Sequence, residues 1–313
     1  MISTPLKLDV ITLATVATPG TPVATFSAIK NAMIKGGAQF FTEAPAGHPA
    51  PLFGAIERIQ PEITFTTPQI DVVLGLLAAW GAGLSAKLYQ KKTTGAAPLA
   101  RSGTVHKRHD VAQALTCWSQ VMLPALARAT ADVSLRPTYN GSALPIVANG
   151  SVSLPAGAIT AANYFAAGPV YVNATLIDGV ESVTIASGCQ YTGTNDSDSV
   201  YDVYGELTIR ETMVTIKTKN PVNWSTILLG GTAVTDLTIY AKAWANADST
   251  SFQSNSSTVH TKINCTKGVA APESSSADGQ ALYSDTISIL CLAPDDTHAP
   301  FTQSVNQAII VAP

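Results

Sequence analysis

Two histidines are the first residues in this chain whose spacing could serve chemistry. His106 and His109 stand three residues apart and Asp110 follows the second, a spacing that could present metal ligands on one face of a helix. Lys107 and Arg108 lie between them and would repel a cation, and no third histidine or cysteine is close in sequence. We therefore predict an exposed basic turn here, with neither a metal site nor a bound cofactor.

An oxygen-rich segment at residues 193–198 is the second place where the sequence suggests chemistry. Its order, Gly-Thr-Asn-Asp-Ser-Asp, puts oxygen-bearing side chains at alternate positions, loosely as a calcium loop does. It lacks the central glycine and the closing glutamate of such a loop. The chain also has no Gly-x-Ser-x-Gly elbow and no Gly-x-x-x-x-Gly-Lys phosphate loop. We expect a solvated hairpin tip at this segment and a protein that is not an enzyme.

The cysteines suggest structural thiols. The four of them, Cys117, Cys189, Cys265 and Cys291, are widely spaced and form no Cys-x-x-Cys pair. We expect reduced thiols in a cytosolic protein and no zinc site or disulfide framework. The N-terminal residues lack the pattern of a secretory signal, and the longest apolar stretch, residues 72–83, is too short to cross a bilayer. We therefore expect no membrane partner.

The low charge of the chain indicates a surface that is covered by other molecules. Charged residues make up 12% of the chain, whereas a soluble domain averages about 25%. Residues 1–150 hold 12 basic and 7 acidic groups (+5), and residues 151–313 hold 6 basic and 14 acidic groups (−8), which together give the net charge of −3. Surfaces of opposite sign could attract each other between copies of the chain. Drift in composition and two ordinary solvated surfaces are the alternatives.

Alternating polar and apolar residues predict that most of the chain forms β-strands. Residues 180–187, 200–211 and 212–219 follow a two-residue period, as do 233–243, 259–265 and 286–292. Residues 62–66 and 307–311 are also predicted strands. Helical spacing of apolar residues predicts helices at 68–79 and 110–122. Residues 44–51, 246–257 and 271–279 are predicted loops. The sequence indicates a mainly β protein, a sandwich or barrel with a long hairpin and one or two short helices.

Two parts follow from the distribution of these elements. Residues 1–131 are predicted to form an N-terminal portion of strands, loops and a helix, packed on a β-rich core of residues 132–313 as one continuous unit. Within the first part, residues 87–109 carry only basic charges. We interpret this run either as a solvated loop or as a contact between subunits, made by Lys87, Lys91, Lys92, Lys107 and Arg108.

The order of features in the centre of the chain resembles the central module of bacteriophage major tail tube proteins. The residues that carry the resemblance are Gly-Pro-Val-Tyr-Val at 168–172, Gly-Val-Glu-Ser-Val-Thr-Ile at 179–185, a polar hairpin, Tyr-Asp-Val-Tyr at 201–204, and the Lys-Thr-Lys-Asn-Pro stretch that ends at Pro221. The similarity is clearest over residues 165–245. This chain is long for a minimal tube subunit.

The resemblance implies a structural subunit with a tail-tube-like fold. Identical copies would form a ring around a shared inner β-barrel, and stacked rings would conduct DNA in a virion tail assembled in the bacterial cytoplasm. Its partners would be itself, other tail proteins and DNA in transit. Residues of the hairpin 190–199 would mediate contacts between subunits: Gln190, Tyr191, Asn195, Asp196 and Asp198. Three acids, Glu181, Asp202 and Glu206, are candidates to line the channel and repel phosphates. The alternative for these acids is an ordinary polar outer face.

A binding module is the alternative hypothesis. A capsid-decorating or adhesin-like β-sandwich of a virion would hold a ligand on its Ser/Asn-rich loops. It would be a stable monomer or trimer that does not polymerise. Self-assembly is therefore the property that separates the two hypotheses.

Overall fold

The computed structural model describes most of the chain. The described residues are 6–46, 49–76, 83–92, 101–155, 164–196, 198–209, 211–220, 231–245, 251–276, 284–295 and 298–310. The fold is mainly β, with 62% of the described residues in strands and 3% in helices, which confirms the predicted mainly β fold class.

The elements of the first half are β1 (Leu6–Thr15), β2 (Pro22–Phe26), β3 (Lys30–Lys35), β4 (Ala38–Glu43), β5 (Phe53–Ile59), β6 (Glu62–Thr67), α1 (Ile70–Gly75), β7 (Leu84–Lys92), β8 (His106–Pro124), β9 (Thr130–Pro137) and β10 (Val147–Val152). The second half contains β11 (Phe165–Val172), β12 (Thr175–Ile177), β13 (Val180–Ala186), β14 (Cys189–Thr194), β15 (Tyr204–Ile209), β16 (Thr212–Thr218), β17 (Thr232–Val234), β18 (Leu237–Ala243), β19 (His260–Cys265), β20 (Gly268–Ser276), β21 (Ser284–Cys291) and β22 (Thr302–Gln307).

Two antiparallel sheets form the body of the molecule. The larger has 13 strands, with the main order β17-β20-β21-β16-β13-β8-β7-β1-β2 and with β3, β6, β9 and β10 joined to it at the side. The smaller has five strands in the order β12-β11-β18-β19-β22. Two further pairs, β4–β5 and β14–β15, each form a sheet of two strands. The large sheet thus combines strands from both sides of residue 131.

The long strand β8 organises the large sheet. Its first half lies between β7 and β10, and its second half lies between β9 and β13. Ala114 marks the change, because it is opposite Leu84 of β7 and also opposite Pro137 of β9. One strand therefore joins neighbours that come from widely separated parts of the sequence.

The core fills the space between the two sheets. Trp118 of β8 is 1% exposed, and its ring centroid lies 5.6 Å from that of Phe301. Side chains from both sheets belong to one continuous buried cluster, for example Ile185 and Ile216 from the large sheet and Ile239 from the small one. A shared apolar interior of this kind is what holds two sheets face to face.

The predicted helix at 110–122 is wrong, because these residues belong to β8. Its apolar residues Val111, Leu115 and Trp118 do follow a helical spacing. However, residues 114–118 are all buried, as expected of a central strand that is covered on both faces. A continuously buried strand loses the two-residue period and cannot be distinguished from a helix by its pattern alone.

The predicted helix at 68–79 is shorter in the structure. α1 covers Ile70–Gly75, and residues 77–79 lie outside the described part of the chain. Leu84 and Leu88, the next leucines along the chain, belong to β7. Two boundaries are also corrected: the predicted loop at 271–279 contains the end of β20, and the predicted strand at 307–311 is preceded by β22, which ends at Gln307.

A tight turn at Gly188 carries the chain from the large sheet into the β14–β15 pair. The φ angle of Gly188 is +67°, and a Cβ there would lie 2.6 Å from the carbonyl carbon of Glu211. We expect Gly188→Ala to lower the free energy of unfolding by at least about 1 kcal/mol, through backbone strain and this clash. Urea denaturation measures the loss.

Gly20→Ala is the matched control for this substitution. Gly20 lies in an exposed turn, and nothing lies within 4 Å of its Cβ position. We expect a change of less than about 0.5 kcal/mol. Equal effects of the two substitutions would contradict a special requirement at Gly188.

Candidate interaction surface

A hairpin made of β4 and β5 projects apolar side chains into solvent. Among the described residues, these two strands pair only with each other. Large apolar side chains with high exposed fractions occur along it: Phe40 (70%), Phe41 (52%), Leu52 (54%), Phe53 (62%) and Ile56 (45%). We call residues 38–59 the apolar hairpin. Such a concentration of exposed aromatic residues is typical of a surface that contacts another protein.

Both faces of the apolar hairpin are apolar. Phe40 is opposite Ile56, and Phe41 is opposite Ala55. Since successive side chains of a strand project to opposite faces, Phe40 and Phe41 lie on different sides of the hairpin. A two-stranded hairpin is at best marginally stable alone in water. Both faces of the apolar hairpin are therefore candidate contact surfaces.

The base of the apolar hairpin is fixed by the backbone. Gln60 N donates to the carbonyl oxygen of Gly37 over 3.0 Å, which closes the two ends of the hairpin. Ile59 N donates to the carbonyl oxygen of Val200 over 2.7 Å, and Ile59 forms a parallel bridge with Tyr201. The base is therefore attached to the segment that precedes β15.

A buried carboxylate adds side-chain bonds to this attachment. Asp202 is 1% exposed, and it accepts hydrogen bonds from Arg58 Nε (2.7 Å), Gln60 Nε2 (3.1 Å) and Tyr191 Oη (2.9 Å). Arg58 also donates to the carbonyl oxygen of Gly193. We call Arg58, Gln60, Tyr191 and Asp202 the Asp202 cluster. Burial of a charge is costly unless it is paired and hydrogen-bonded, and here three side chains satisfy the carboxylate.

The Asp202 cluster leaves no room for a side chain at Gly193. A Cβ on that residue would lie 2.1 Å from Asp202 Oδ2 and 2.4 Å from Tyr191 Oη. Burial raises the pKa of Tyr191, and its hydrogen bond to Asp202 raises it further. The phenol is therefore neutral at physiological pH and donates to the carboxylate. Through this cluster the β14–β15 pair and the apolar hairpin hold each other in place.

The burial of Asp202 corrects its predicted place on a channel wall. Asp202 was predicted to line the channel together with Glu206, but β15 begins only at Tyr204. Asp202 precedes the strand and points into the Asp202 cluster, whereas Tyr204 and Glu206 are exposed. Glu206 remains a prediction for the channel wall.

Glu181, the third predicted channel residue, is part of an ion pair. Its carboxylate lies 2.8 Å from Lys219 Nζ, and Ser284 Oγ donates to it over 3.3 Å. The hydrogen bond from Lys219 lowers the pKa of Glu181 below its usual range. Glu181 lies at the start of β13, away from Asp202 and Glu206 in the sheet order. The structure thus does not bring the three predicted acids together.

The predicted contact residues of the polar hairpin divide into two groups. Gln190, Asn195, Asp196 and Asp198 are exposed on the β14–β15 pair and its tip. Asp198 N donates to Asp196 Oδ1 over 3.1 Å, which shapes the tip as a polar turn. Tyr191 is instead half-buried in the Asp202 cluster. The role of the four exposed residues in contacts between subunits remains a prediction.

The predicted basic contact residues lie on paired strands. Lys87, Lys91 and Lys92 belong to β7, and Lys107 and Arg108 belong to the start of β8, which pairs with it. Both groups therefore lie in strands, whereas residues 93–100 lie outside the described part of the chain.

The predicted basic turn around the two histidines is wrong. His106 is buried in β8, and its Nδ1 accepts a hydrogen bond from Lys92 N over 3.1 Å. Arg108 and Asp110 form an ion pair of 2.6 Å along the same strand. Among the described residues, no group of three His, Cys, Asp or Glu side chains could hold a metal ion. In the same residues, no helix is long and apolar enough to cross a membrane.

The apolar hairpin was not predicted from the sequence. The segment 44–51, which its prolines and glycine marked as a loop, lies between the two strands of that hairpin. The available signal was the set of phenylalanines on either side of this loop. Comparison of the chain with models of protein families and with curated proteins finds no match.

Proposed function

We propose that the protein is a structural subunit that assembles with copies of itself into rings, and that these rings stack into a phage tail tube. The observation that carries the proposal is the apolar hairpin. Its Phe40 and Phe41 lie on opposite faces and are both more than half exposed. A neighbouring copy that covers these faces would remove them from water.

The extent of the exposed apolar surface favours a protein partner over a small ligand. Side chains on both sides of the apolar hairpin would have to be covered, and burial of each phenylalanine stabilises a contact by about 1.5–3 kcal/mol. The hairpin projects from a base that is held by the Asp202 cluster. A preorganised segment of this kind loses little conformational entropy on binding, which favours tight association.

The outer face of the central meander suggests a wall for the channel. β13 and β16 turn Val183 and Ile216 towards the core. The opposite face carries hydroxyl groups in register across three strands, where Thr184 is opposite Thr215 and Thr215 is opposite Ser288. These neutral hydroxyl groups neutralise no phosphates and release no counterions, so they would not hold DNA strongly. Lys217 of β16 lies on the same face and is the exposed cation of that strand. Two of the three strands of this face, β13 and β16, lie in the region that resembles tail tube proteins.

The low charge of the chain agrees with the same proposal. At 12% charged residues, the molecule has few groups to keep free copies apart in solution. In an assembly, few charged side chains would have to be buried between subunits, and the cores of such contacts are depleted of charged residues.

The test is to examine the purified full-length protein by light scattering after size exclusion and by negative-stain electron microscopy. We expect rings or tubes of constant diameter with a central bore. A protein that remains monomeric at high concentration would overturn the proposal. Trimers without a bore would instead support the capsid-decorating alternative.

A further inference from the structure

The four cysteines, far apart in sequence, form two contacts in the fold. The side chain of Cys117 interacts with that of Cys189, and the side chain of Cys291 interacts with that of Cys265. All four are free thiols in the structure. The sequence spacing gave no sign of either contact.

Strand register explains why the first pair meets. β13 and β8 are antiparallel, with Ile185 opposite Val121 and Ala186 opposite Gln120. Ser187 N then donates to the carbonyl oxygen of Ser119 over 2.9 Å, which continues the same register beyond β13. The chain then turns at Gly188 and leaves the large sheet. Cys189, two residues after Ser187, and Cys117, two residues before Ser119, line the same cavity.

The two members of this pair differ in their access to solvent. Cys117 is buried in β8, whereas Cys189 is half-buried at the start of β14. Both line one cavity of about 250 Å³, together with Tyr191 and Arg136. The interaction with Cys117 lowers the pKa of Cys189, and the same interaction, together with burial, raises the pKa of Cys117. The accessible thiol is therefore also the one that ionises first, and thiolates are the nucleophiles in disulfide exchange.

Unlike Cys117 and Cys189, the pair of Cys265 and Cys291 has no member that is open to solvent. Cys265 and Cys291 are both buried, and they lie where the chain passes from the small sheet to the large one. Cys265 Sγ donates to the carbonyl oxygen of Lys267 over 3.0 Å, and Leu292 N donates to the same oxygen over 2.8 Å. A reagent in solution cannot reach these sulfurs without local unfolding.

We propose that Cys117 and Cys189 form a dithiol that closes to an intramolecular disulfide by exchange with a small external disulfide, with Cys189 as the attacking group. The Cys189 thiolate attacks one sulfur of the reagent and forms a mixed disulfide, and one reagent thiolate leaves. Cys117 then loses its proton and attacks the Cys189 sulfur, and the second reagent thiolate leaves. Two protein thiols are oxidised and one external disulfide is reduced to two thiols.

The new bond would tie β14 to the large sheet. β14 and β15 otherwise pair only with each other among the described residues. The disulfide would therefore fix the strand pair that carries Tyr191 of the Asp202 cluster. It would also limit the freedom of the unfolded chain, so the oxidised protein is expected to unfold at higher urea concentration than the reduced one.

The experiment exposes the native full-length protein to hydroxyethyl disulfide, a small uncharged reagent. The reaction is stopped with acid, and the remaining thiols are alkylated in denaturant and mapped by mass spectrometry. We expect two of the four thiols to be lost and a peptide that links Cys117 to Cys189 to appear. Cys265 and Cys291 are expected to remain alkylated.

Two variants determine the order of the steps. Cys117→Ser is expected to retain one mercaptoethanol group on Cys189, because the second attack is lost. Cys189→Ser is expected to leave Cys117 unmodified, with a rate at least tenfold below that of Cys189 in the other variant. Retention of all four thiols in the native protein would overturn the proposal. A wild-type reaction that stops at the mixed disulfide, or modification of Cys117 in the absence of Cys189, would do the same.

Discussion

Phe40→Asp combined with Phe53→Asp is expected to leave the protein as a folded monomer. Loss of two buried phenylalanines would weaken a contact between copies by about 4 kcal/mol, which is about a thousandfold in affinity. The new carboxylates would also have to be desolvated in that contact. Both side chains are exposed in the single chain, so its fold is expected to be unchanged. Light scattering measures the assembly and circular dichroism measures the fold.

Leu144→Asp is the matched control for this double variant. Leu144 is 54% exposed, compared with 62% for Phe53, but it lies in the segment before β10, outside the apolar hairpin. We expect this variant to assemble as the wild type does. Normal assembly of the Phe40/Phe53 variant would show that the apolar hairpin is not the contact between copies.

Arg58→Met is expected to destabilise the fold by about 3 kcal/mol. The substitution leaves the buried Asp202 carboxylate without its cation, and removal of one partner from a buried pair costs about 3–5 kcal/mol. Arg58 is partly exposed, so the lower end of that range applies. Urea denaturation measures the loss. Because Arg58 lies at the base of the apolar hairpin, assembly is also expected to weaken.

Two comparisons distinguish the effect of breaking the Arg58–Asp202 pair from the effect of removing any positive charge. Lys35→Met breaks the more exposed Lys35–Glu62 pair of 3.0 Å and is expected to cost less than about 1 kcal/mol. Arg58→Met combined with Asp202→Leu is expected to cost less than the sum of the two single substitutions, since no unpaired charge remains. If Arg58→Met costs no more than Lys35→Met, the Asp202 cluster does not anchor the hairpin.

Alternation in the sequence was sufficient to predict the strands that bury one face. In β16, Val214 and Ile216 point to the core while Thr215 and Lys217 face outwards, so the two-residue period is visible. The same reasoning failed for β8, where neighbours on both edges and cover on both faces bury consecutive residues. A local pattern reports how a strand is covered, and it contains no information about which distant strands supply the cover.

The candidate surface was less predictable than the fold. Phe40 and Phe53 would be assigned to a core by hydrophobicity alone, because only the three-dimensional arrangement shows that nothing in the described chain covers them. Asp202 illustrates the reverse error. Its place beside an exposed strand suggested a surface acid. In the structure, however, it is buried and accepts a hydrogen bond from Arg58, which is far away in sequence. The cysteine contacts likewise depend on strand register between residues distant in sequence.

The arrangement around β8 has a consequence for how the molecule forms. Its partners β7, β9, β10 and β13 extend from Leu84 to Ala186, so the strand cannot be fully paired until the ribosome has released most of that length. Sheets built from such distant pairings mature slowly, and their unpaired edges are open to wrong neighbours in the meantime. Until β13 has been synthesised, the free edge of β8 is exposed to pairing with strands of other nascent chains.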